Sequence, residues 1–253
     1  MRRSLSLIGL EGIPEIAPGA ALARVLLAAI ERSELRLESG DVLVIAQKIV
    51  SKAEGRQVVL SGIVPSARAV ELAATTAKDE RLVELMLRES VEVVRASRGV
   101  LIVEHRLGFV MASAGIDQSN VPGADDCVLL LPEDPDASAE RIRRELRDVT
   151  GADVGVVIND SVGRAWRNGV TGTAIGIAGV PALVDMRGKG DRHGRALQVT
   201  QVAAADELAA AASLVMGQAD ESVPAVLVRG FPYAARESSV QELIRPRRED
   251  LFR

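Results

Sequence analysis

The chain has 253 residues, 26% of them charged, and a formal net charge of −4 at pH 7. This length is enough for one large domain or two smaller ones, and the slight acidic excess argues against a nucleic-acid-binding protein. No apolar run approaches the ~20 residues that a membrane-spanning helix needs. The single cysteine, Cys127, cannot form an intramolecular disulfide. We therefore expect a cytoplasmic protein with no nucleic-acid or membrane partner, in which Cys127 is a buried apolar residue.

Strand and helix patterns alternate through the first half of the chain. Helices are predicted where apolar residues recur at helical spacing, and a hairpin is predicted where two β-rich runs flank a short polar connection. In chain order, these are a strand at 5–10, a helix at 21–33, a strand at 41–50, helices at 66–77 and 80–96, and a hairpin at 99–113.

The second half continues this mixture and contains a polar stretch after an apolar strand. In chain order, we predict an apolar strand at 127–132, a helix at 139–150 ended by Gly151, a strand from Gly155 that ends at Asn159–Ser161, a strand at 197–202, a helix at 204–217 and a strand at 224–230. Because the strict repeat of a doubly wound sheet is missing, we expect an α+β fold. The glycine-dense region 163–194 is a possible junction between two lobes.

Five polar segments at strand ends or in loops carry residues suited to anionic substrates. The loop 9–16 contains glycines and a proline, and it can present backbone N–H groups to an anion or be an ordinary turn. Lys48 and Lys52 lie four residues apart, near Ser51 and Arg56. They can neutralise phosphates, or they can belong to a solvated, salt-bridged surface.

The other three segments are rich in oxygen donors. Asp117, Ser119 and Asn120 crowd one loop, and Asp160 precedes Ser161. A carboxylate beside a hydroxyl is typical of magnesium sites, where substrate phosphates complete the octahedron. Arg164 and Arg167 follow Asp160 and can hold phosphate oxygens, while residues 216–222 follow a helix. Each segment can also be a simple polar turn.

Known nucleotide and hydrolase motifs are missing from the sequence. It contains no Walker loop, no strand–GxGxxG–helix unit, no GxSxG and no HExxH. His105 and His193 have no partner at a ligand spacing, so we expect both to lie at the surface. The remaining pattern of two loop carboxylates among lysines and arginines indicates a metal-dependent phosphoryl or nucleotide enzyme.

Six segments taken together and in order resemble the coenzyme F420 gamma-glutamyl ligase family. They are EGIPEI, GDVLVIAQKIVSKAEGR, SAGIDQSNV, INDSVGR, GVTGTAIGIAGV and MGQADESVPAVLVRG, and they extend over nearly the whole chain. The resemblance implies an enzyme that uses GTP to join L-glutamate to a carboxylate of the deazaflavin precursor F420-0 through an acyl phosphate. It also implies Mg²⁺ or Mn²⁺, an assisting monovalent cation such as K⁺, and a two-part α+β fold that forms an intertwined homodimer.

The resemblance assigns roles to individual residues. It implies metal ligands at Asp117, Asp160, Ser161 and Gln218, where Ser161 replaces the usual threonine and Gln218 a residue that is often acidic. We expect Lys52 and Arg164 to stabilise the transferring phosphoryl group. The implied nucleotide contacts are Gly12, Ile13, Pro14, Glu15, Gln47, Lys48, Lys52, Asn120, Met216, Gly217, Gln218, Ala219, Asp220, Glu221, Ser222 and Val223.

Other functions stay open on the sequence alone. The chain can be a related ligase that uses another acceptor or amino acid, or a GTP-binding homologue without turnover. Some relatives carry a C-terminal nitroreductase-like domain, and because this sequence stops at Arg253 we expect the ligase domain alone, over residues 1–253.

Overall fold

Residues 4–119 and 126–251 are described by a computed structural model. The helices are α1 (Leu22–Arg32), α2 (Gln47–Ala53), α3 (Ala67–Thr76), α4 (Glu80–Arg88), α5 (Pro135–Thr150) and α6 (Ala204–Met216). The strands are β1 (Ser6–Gly9), β2 (Val42–Ala46), β3 (Gln57–Val59), β4 (Ser90–Ser97), β5 (Val100–His105), β6 (Val110–Ala112), β7 (Cys127–Leu129), β8 (Gly155–Arg164), β9 (Arg167–Ala178), β10 (Val184–Asp185), β11 (Gln201–Val202) and β12 (Ala225–Arg229).

The largest sheet has five strands in the order β1–β12–β2–β8–β9. The β2–β8 pair is parallel and the other three pairs are antiparallel. Smaller sheets are formed by β3 with β7, by β4–β5–β6 and by β10 with β11. This mixture of helices and mainly antiparallel strands agrees with the predicted α+β class. Within the described residues, no helix combines the length and apolarity needed to cross a bilayer.

The central sheet is buried on both faces, which explains its uninterrupted apolar strands. Along β2, Leu43 and Ile45 face a core shared with α1 and α5, while Val44 faces a second core beneath α6. Because successive side chains of a strand point to opposite faces, a strand covered on both sides is apolar at every position. A third core joins α3 and α4 to β5 and β7.

Helix α5 begins and ends at recognisable signals. The Asp134 carboxylate accepts a hydrogen bond from the Ala137 N–H at 3.0 Å, and Pro135 occupies the first turn, where no intrahelical N–H bond is lost. Gly151 ends the helix with φ +71°, as predicted. The helix therefore starts four residues before the predicted position, and its end leads directly into β8.

Two predicted elements change type part-way along. The predicted strand 41–50 is a strand only to Ala46, since α2 begins at Gln47 and turns Ile49 and Val50 into the core. The predicted helix 80–96 ends at Arg88, and Ser90–Ser97 forms β4 because this β-branched segment pairs with β5. The predicted strand 197–202 is reduced to Gln201–Val202.

The polar stretch after the apolar part of β8 does not end that strand. Asn159, Asp160 and Ser161 continue as strand and pair with β9 as far as Arg164. Part of the glycine-dense region thus forms β9, an edge strand of the central sheet. The remaining predicted strands and helices, including the β5–β6 hairpin and α6, are confirmed.

The two histidines have different environments. His193 is exposed, as predicted, but the prediction for His105 is wrong because it is fully buried. It follows Leu101 and Val103 at alternate positions of β5, so it points inward with them. Its Nδ1 accepts a hydrogen bond from the Leu107 N–H at 3.0 Å. Cys127 is buried, as predicted.

Candidate active site

A cleft of ≈ 580 Å³ opens where β2 ends and α2 begins. It brings together four chain segments that are distant in sequence: the N-terminal loop, the β2–α2 junction, the middle of β8, and the loop between α6 and β12. Its lining residues are Ile13, Pro14, Glu15, Ile16, Ala46, Gln47, Lys48, Ile49, Lys52, Asn159, Asp160, Ser161, Met216, Gly217, Gln218, Ala219, Asp220, Glu221, Ser222, Val223 and Pro224.

Helix α2 carries the cations of the cleft. Because Lys48 and Lys52 are one helical turn apart, they lie on the same side of α2. The Lys52 Nζ lies 2.6 Å from Glu15 Oε1, which connects α2 to the N-terminal loop. That loop is fixed further by Gly12, whose φ is +68° and whose carbonyl accepts a hydrogen bond from Arg32 at 2.8 Å.

Asp117 reaches the cleft through the first turn of α2. Its backbone forms an isolated bridge with Leu129, and its carboxylate accepts a hydrogen bond from Gln47 Nε2 at 2.6 Å. Lys48 Nζ lies 3.5 Å from the same carboxylate. The Ser51 hydroxyl donates to Gln47 Oε1 at 2.9 Å, so the Gln47 amide is held with its N–H groups towards Asp117.

Asp160 is the second carboxylate of the site. It accepts a hydrogen bond from the Ser161 N–H at 2.8 Å. Burial, and then the negative charge of Asp117, raise the pKa of Asp160 to about 7, although the Ser161 N–H and the Lys48 ammonium act in the opposite direction. Burial also raises the pKa of Asp117, against the effect of Lys48. Two partly buried carboxylates repel each other, and a cation between them would relieve that repulsion.

The chemistry of this donor set fits a divalent metal that keeps water or phosphate ligands. Asp117 and Asp160 supply carboxylate oxygens, and Ser161 supplies a hydroxyl next to them. In residues 4–119 and 126–251, no three His, Cys, Asp or Glu side chains converge as a metal cluster. A small number of protein ligands is typical of Mg²⁺, which loses its water reluctantly and is often shared with substrate phosphates.

The loop after α6 forms another wall of the cleft. Gly217 has φ +74°, and a Cβ there would collide with the Glu221 carboxylate, so the loop folds tightly around this glycine. Glu221 accepts a hydrogen bond from the Ala219 N–H at 2.8 Å. Gln218 Nε2 donates a hydrogen bond to the Ser213 hydroxyl at 3.0 Å. The amide oxygen of Gln218 is not used in this bond, and it is the atom of the side chain that can bind a metal.

Most of the predicted site residues meet in this cleft. Ile13 to Glu15, the α2 residues, Asp160 with Ser161, and the loop 216–223 all line it, and Asp117 joins them through Gln47. Gly12 lies beside the lining residues. The predicted nucleotide contact Asn120 lies outside the described residues.

The arginines after Asp160 do not line the cleft. Arg164 and Arg167 are exposed at the turn between β8 and β9. Arg164 lies four residues after Asp160 along the strand, which is a distance of roughly 13 Å. Arg56 also points elsewhere, because it binds Glu89 at 3.1 Å and the Leu131 carbonyl at 2.9 Å. Phosphate binding by Arg164 therefore requires its side chain to be brought towards the cleft.

Two residues of the site, Ser51 and Asn159, were given no individual role by the sequence. Ser51 orients Gln47 from one helical turn further along α2. This spacing indicates a contact between the two side chains only once α2 is recognised as a helix. Asn159 is 5% exposed, and its amide nitrogen lies 3.5 Å from Met216 Sδ. Its amide oxygen has no hydrogen-bond partner within the described part of the chain. An asparagine inside an otherwise apolar strand was the available signal.

Comparison with known proteins identifies the family. The model of a family described as F420-0:Gamma-glutamyl ligase matches residues 12–230, which is most of the chain. The chain belongs to the F420-0:gamma-glutamyl ligase family. The resemblance inferred from the sequence motifs is therefore confirmed, and the matched region contains every described residue of the cleft.

Several curated relatives are similar along their full length. A protein named Coenzyme F420:L-glutamate ligase from Methanothermobacter thermautotrophicus is 48% identical over 98% of this chain and 99% of its own length. Proteins of the same name from Methanocaldococcus jannaschii and Methanopyrus kandleri are 42% and 47% identical. Those alignments cover 100% and 98% of this chain, and 98% and 99% of the relatives. The sequence similarity to this ligase family thus extends beyond the cleft to nearly the whole chain.

Proposed function

We propose that this protein is a coenzyme F420-0:L-glutamate ligase that uses GTP and a divalent metal to add L-glutamate to the deazaflavin precursor. Family membership supports the ligase class and the acceptor. The observation that carries the nucleotide and metal part of the proposal is the meeting of Asp117, Asp160, Lys48 and Lys52 at one cleft. This combination suits a metal–triphosphate substrate better than an uncharged one.

The reaction chemistry explains why such a site needs no protein nucleophile. A carboxylate does not condense with an amine at neutral pH because oxide is a poor leaving group. In the proposed reaction, an oxygen of the F420-0 carboxylate attacks the γ-phosphorus of GTP, and GDP leaves. The glutamate amine then attacks the carbonyl carbon of the acyl phosphate, loses a proton, and expels inorganic phosphate.

The residues of the cleft act on the charges of this reaction. Lys52 is half of an ion pair with Glu15, so its ammonium is already held at the cleft and can exchange Glu15 for a phosphate oxygen. Lys48, beside Asp117, places a second positive charge there. A divalent metal held by Asp117, Asp160 and Ser161 would neutralise the phosphates and act as a Lewis acid. Gln47 and Ser51 keep the Asp117 carboxylate in a fixed orientation.

A mass-spectrometric ligation assay tests this function. The purified chain is incubated with F420-0, L-glutamate, Mg²⁺ or Mn²⁺ and KCl, with GTP in one reaction and ATP in a parallel one. We expect one or more glutamate additions to F420-0, one GDP for each amide bond, and a much slower reaction with ATP. Absence of any glutamate adduct with GTP under all metal conditions contradicts the proposal.

The acyl-phosphate step has its own test. When both carboxylate oxygens of the acceptor carry ¹⁸O, the mechanism moves one labelled oxygen into inorganic phosphate and leaves the other in the amide carbonyl. Inorganic phosphate without label would contradict an acyl phosphate while leaving the ligase activity itself in place.

A further inference from the structure

A second cavity, an apolar groove of ≈ 340 Å³, lies next to the candidate active site. We propose that it binds the flat heteroaromatic ring of the acceptor substrate. This inference rests on the proposed function, because it assigns a place to one of the three substrates of that reaction. We call this cavity the β6–β9 groove, since strands β6, β8 and β9 and the C-terminal segment form its walls.

The walls of the β6–β9 groove are mainly apolar. Val110 and Met111 of β6 form one wall, and Val162 of β8 and Ile175 of β9 form the floor. The C-terminal segment closes the groove with Leu243 and the isoleucine that follows it. Of the eleven lining residues, only three have polar side chains. Pockets for small heteroaromatic ligands are typically of this kind, with apolar walls and a few polar groups.

Asp160 of the active site lies beside one end of this groove. Asp160 precedes Val162 by two residues on β8, so the two side chains lie on the same face of the sheet, ~7 Å apart along the strand. Asp160 is also the cross-strand partner of Thr173, another lining residue. On the opposite wall, β6 is followed by a short 3₁₀ turn that leads to Asp117. A ligand that lies in the groove therefore has one end close to Asp160.

The groove and the cleft lie on opposite sides of Asp160 in the sheet. The order of the strands is β2–β8–β9. The cleft is formed at the β2 side, by the β2–α2 junction and the loop before β12, whereas the groove is formed at the β9 side. Phosphoryl transfer requires the attacking oxygen to approach the γ-phosphorus opposite the leaving GDP. If the γ-phosphate lies at Asp160 with GDP towards β2, an acceptor in the groove approaches from that opposite side and does not overlap the nucleotide.

The test compares two valines with similar exposure on adjacent strands. Val110 lines the groove and is 42% exposed, whereas Val100 of β5 lies outside it and is 41% exposed. Val110→Trp would fill the groove, and Val110→Phe would fill it partly. Val100→Trp is the matched control for adding an aromatic ring to this sheet. Because both positions are partly exposed, we expect all three variants to fold, and thermal unfolding verifies this.

The measurements are the Kd of F420-0, from the fluorescence of its deazaflavin ring, and the KM values of F420-0 and GTP. We expect Val110→Trp to raise the Kd and KM of F420-0 about tenfold or more, since the ring loses its apolar contacts, with a smaller rise for Val110→Phe. The KM of GTP should stay within about twofold, and Val100→Trp should change neither substrate.

Two negative results can be told apart. If the wild-type chain ligates glutamate to F420-0 but folded Val110→Trp binds F420-0 like the wild type, the ring does not lie in the groove and this inference is wrong. If the wild-type chain neither binds nor ligates F420-0, the proposed function fails first and the groove assignment fails with it.

Discussion

Asp117 and Asp160 determine the electrostatic character of the active site. Each carboxylate is partly buried, the two repel each other, and Lys48 supplies a compensating charge to both. The raised pKa of Asp160, about 7, means that the metal-free site retains a proton near neutral pH. Groups with such shifted pKa values are concentrated at functional sites, where a ligand later supplies the missing charge.

Metal binding should therefore depend on pH. A metal binds the ionised form of Asp160, so protons compete with it below the pKa of about 7. We expect the affinity for Mn²⁺, measured by isothermal titration calorimetry, to be roughly tenfold lower at pH 6 than at pH 8 because one proton must be displaced. An affinity that is the same at both pH values would contradict the assigned protonation of Asp160.

The same pKa shift predicts that Asp160→Asn stabilises the metal-free protein. The pKa of Asp160 is about 7 in the folded state and near the ordinary aspartate value of 3.8 in the unfolded state. Burial of the ionised group thus lowers stability progressively as the pH rises from ~4 to ~7. At pH 8, Asp160→Asn should raise the Tm by ~2 °C or more, and the difference should vanish near pH 4.

Asp185→Asn is the matched control for that measurement. Asp185 is exposed, and its hydrogen bond with Arg187 lowers its pKa to about 2, so its ionised form is favoured in the folded state. Its replacement should leave the Tm at pH 8 unchanged or slightly lower. A lower Tm for Asp160→Asn than for Asp185→Asn would argue against a destabilising carboxylate at position 160.

At the scale of secondary-structure elements, the close contact of β9 with α6 positions the loop after α6, which forms one wall of the cleft. Gly172 of β9 lies against α6, and a Cβ there would stand 2.7 Å from Asn159 Oδ1 and 2.7 Å from Ser213 Cβ. The Ala209 carbonyl would be closer still. Since Ser213 also holds Gln218, any displacement of α6 moves the loop that follows it.

Gly172→Ala should destabilise the protein and disturb the cleft. We expect a loss of about 1–3 kcal/mol in the free energy of unfolding, measured with urea, because backbone atoms on α6 cannot move away easily. Gly163→Ala is the control, since a Cβ at Gly163 would meet no atom within 4 Å and that glycine has no positive φ. Equal stabilities for the two variants would show that the contact between β9 and α6 is loose.

Most elements were predictable from periodicity, and the exceptions have physical causes. The apolar pattern of 41–50 continues from β2 into α2 because both elements are buried, so periodicity could not locate the boundary at Ala46. The segment 90–96 continues the apolar content of α4, and its pairing with β5 is a long-range effect. The site was predictable only in part. The carboxylates Asp117 and Asp160 stood out by residue type at the ends of apolar strands, and the family resemblance then assigned them as metal ligands, whereas the orientation of Gln47 by Ser51 depends on the helix itself.

At the scale of the whole molecule, two binding regions lie on either side of Asp160. The charged cleft is suited to the metal and nucleotide, and the β6–β9 groove is suited to an apolar ring. Beyond them, the β8–β9 hairpin carries Trp166 at its turn with 86% of its surface exposed. Tryptophan is enriched at protein–protein interfaces relative to the rest of the surface.

The homodimer that the family resemblance implies remains a prediction, and Trp166 offers a test of it. We expect sedimentation velocity to detect a dimer for the wild-type chain, and Trp166→Ser to shift the equilibrium towards the monomer because an apolar contact is lost. Val64→Ser, at a side chain that is 79% exposed and far from this hairpin in sequence, is the control. A wild-type chain that sediments as a monomer at all concentrations would rule out the dimer.

The central claim is that GTP-driven ligation occurs at the Asp117–Asp160 pair. The initial rate of glutamate addition to F420-0 by the Asp160→Asn variant tests this claim most directly. We predict a loss of at least about 10³-fold at saturating GTP and Mg²⁺, with folding verified by circular dichroism, because the metal loses one of its two carboxylates. Asp185→Asn, a carboxylate removed from an exposed site outside the cleft, should retain the wild-type rate. Ligation by folded Asp160→Asn at a rate within tenfold of the wild type would contradict the account.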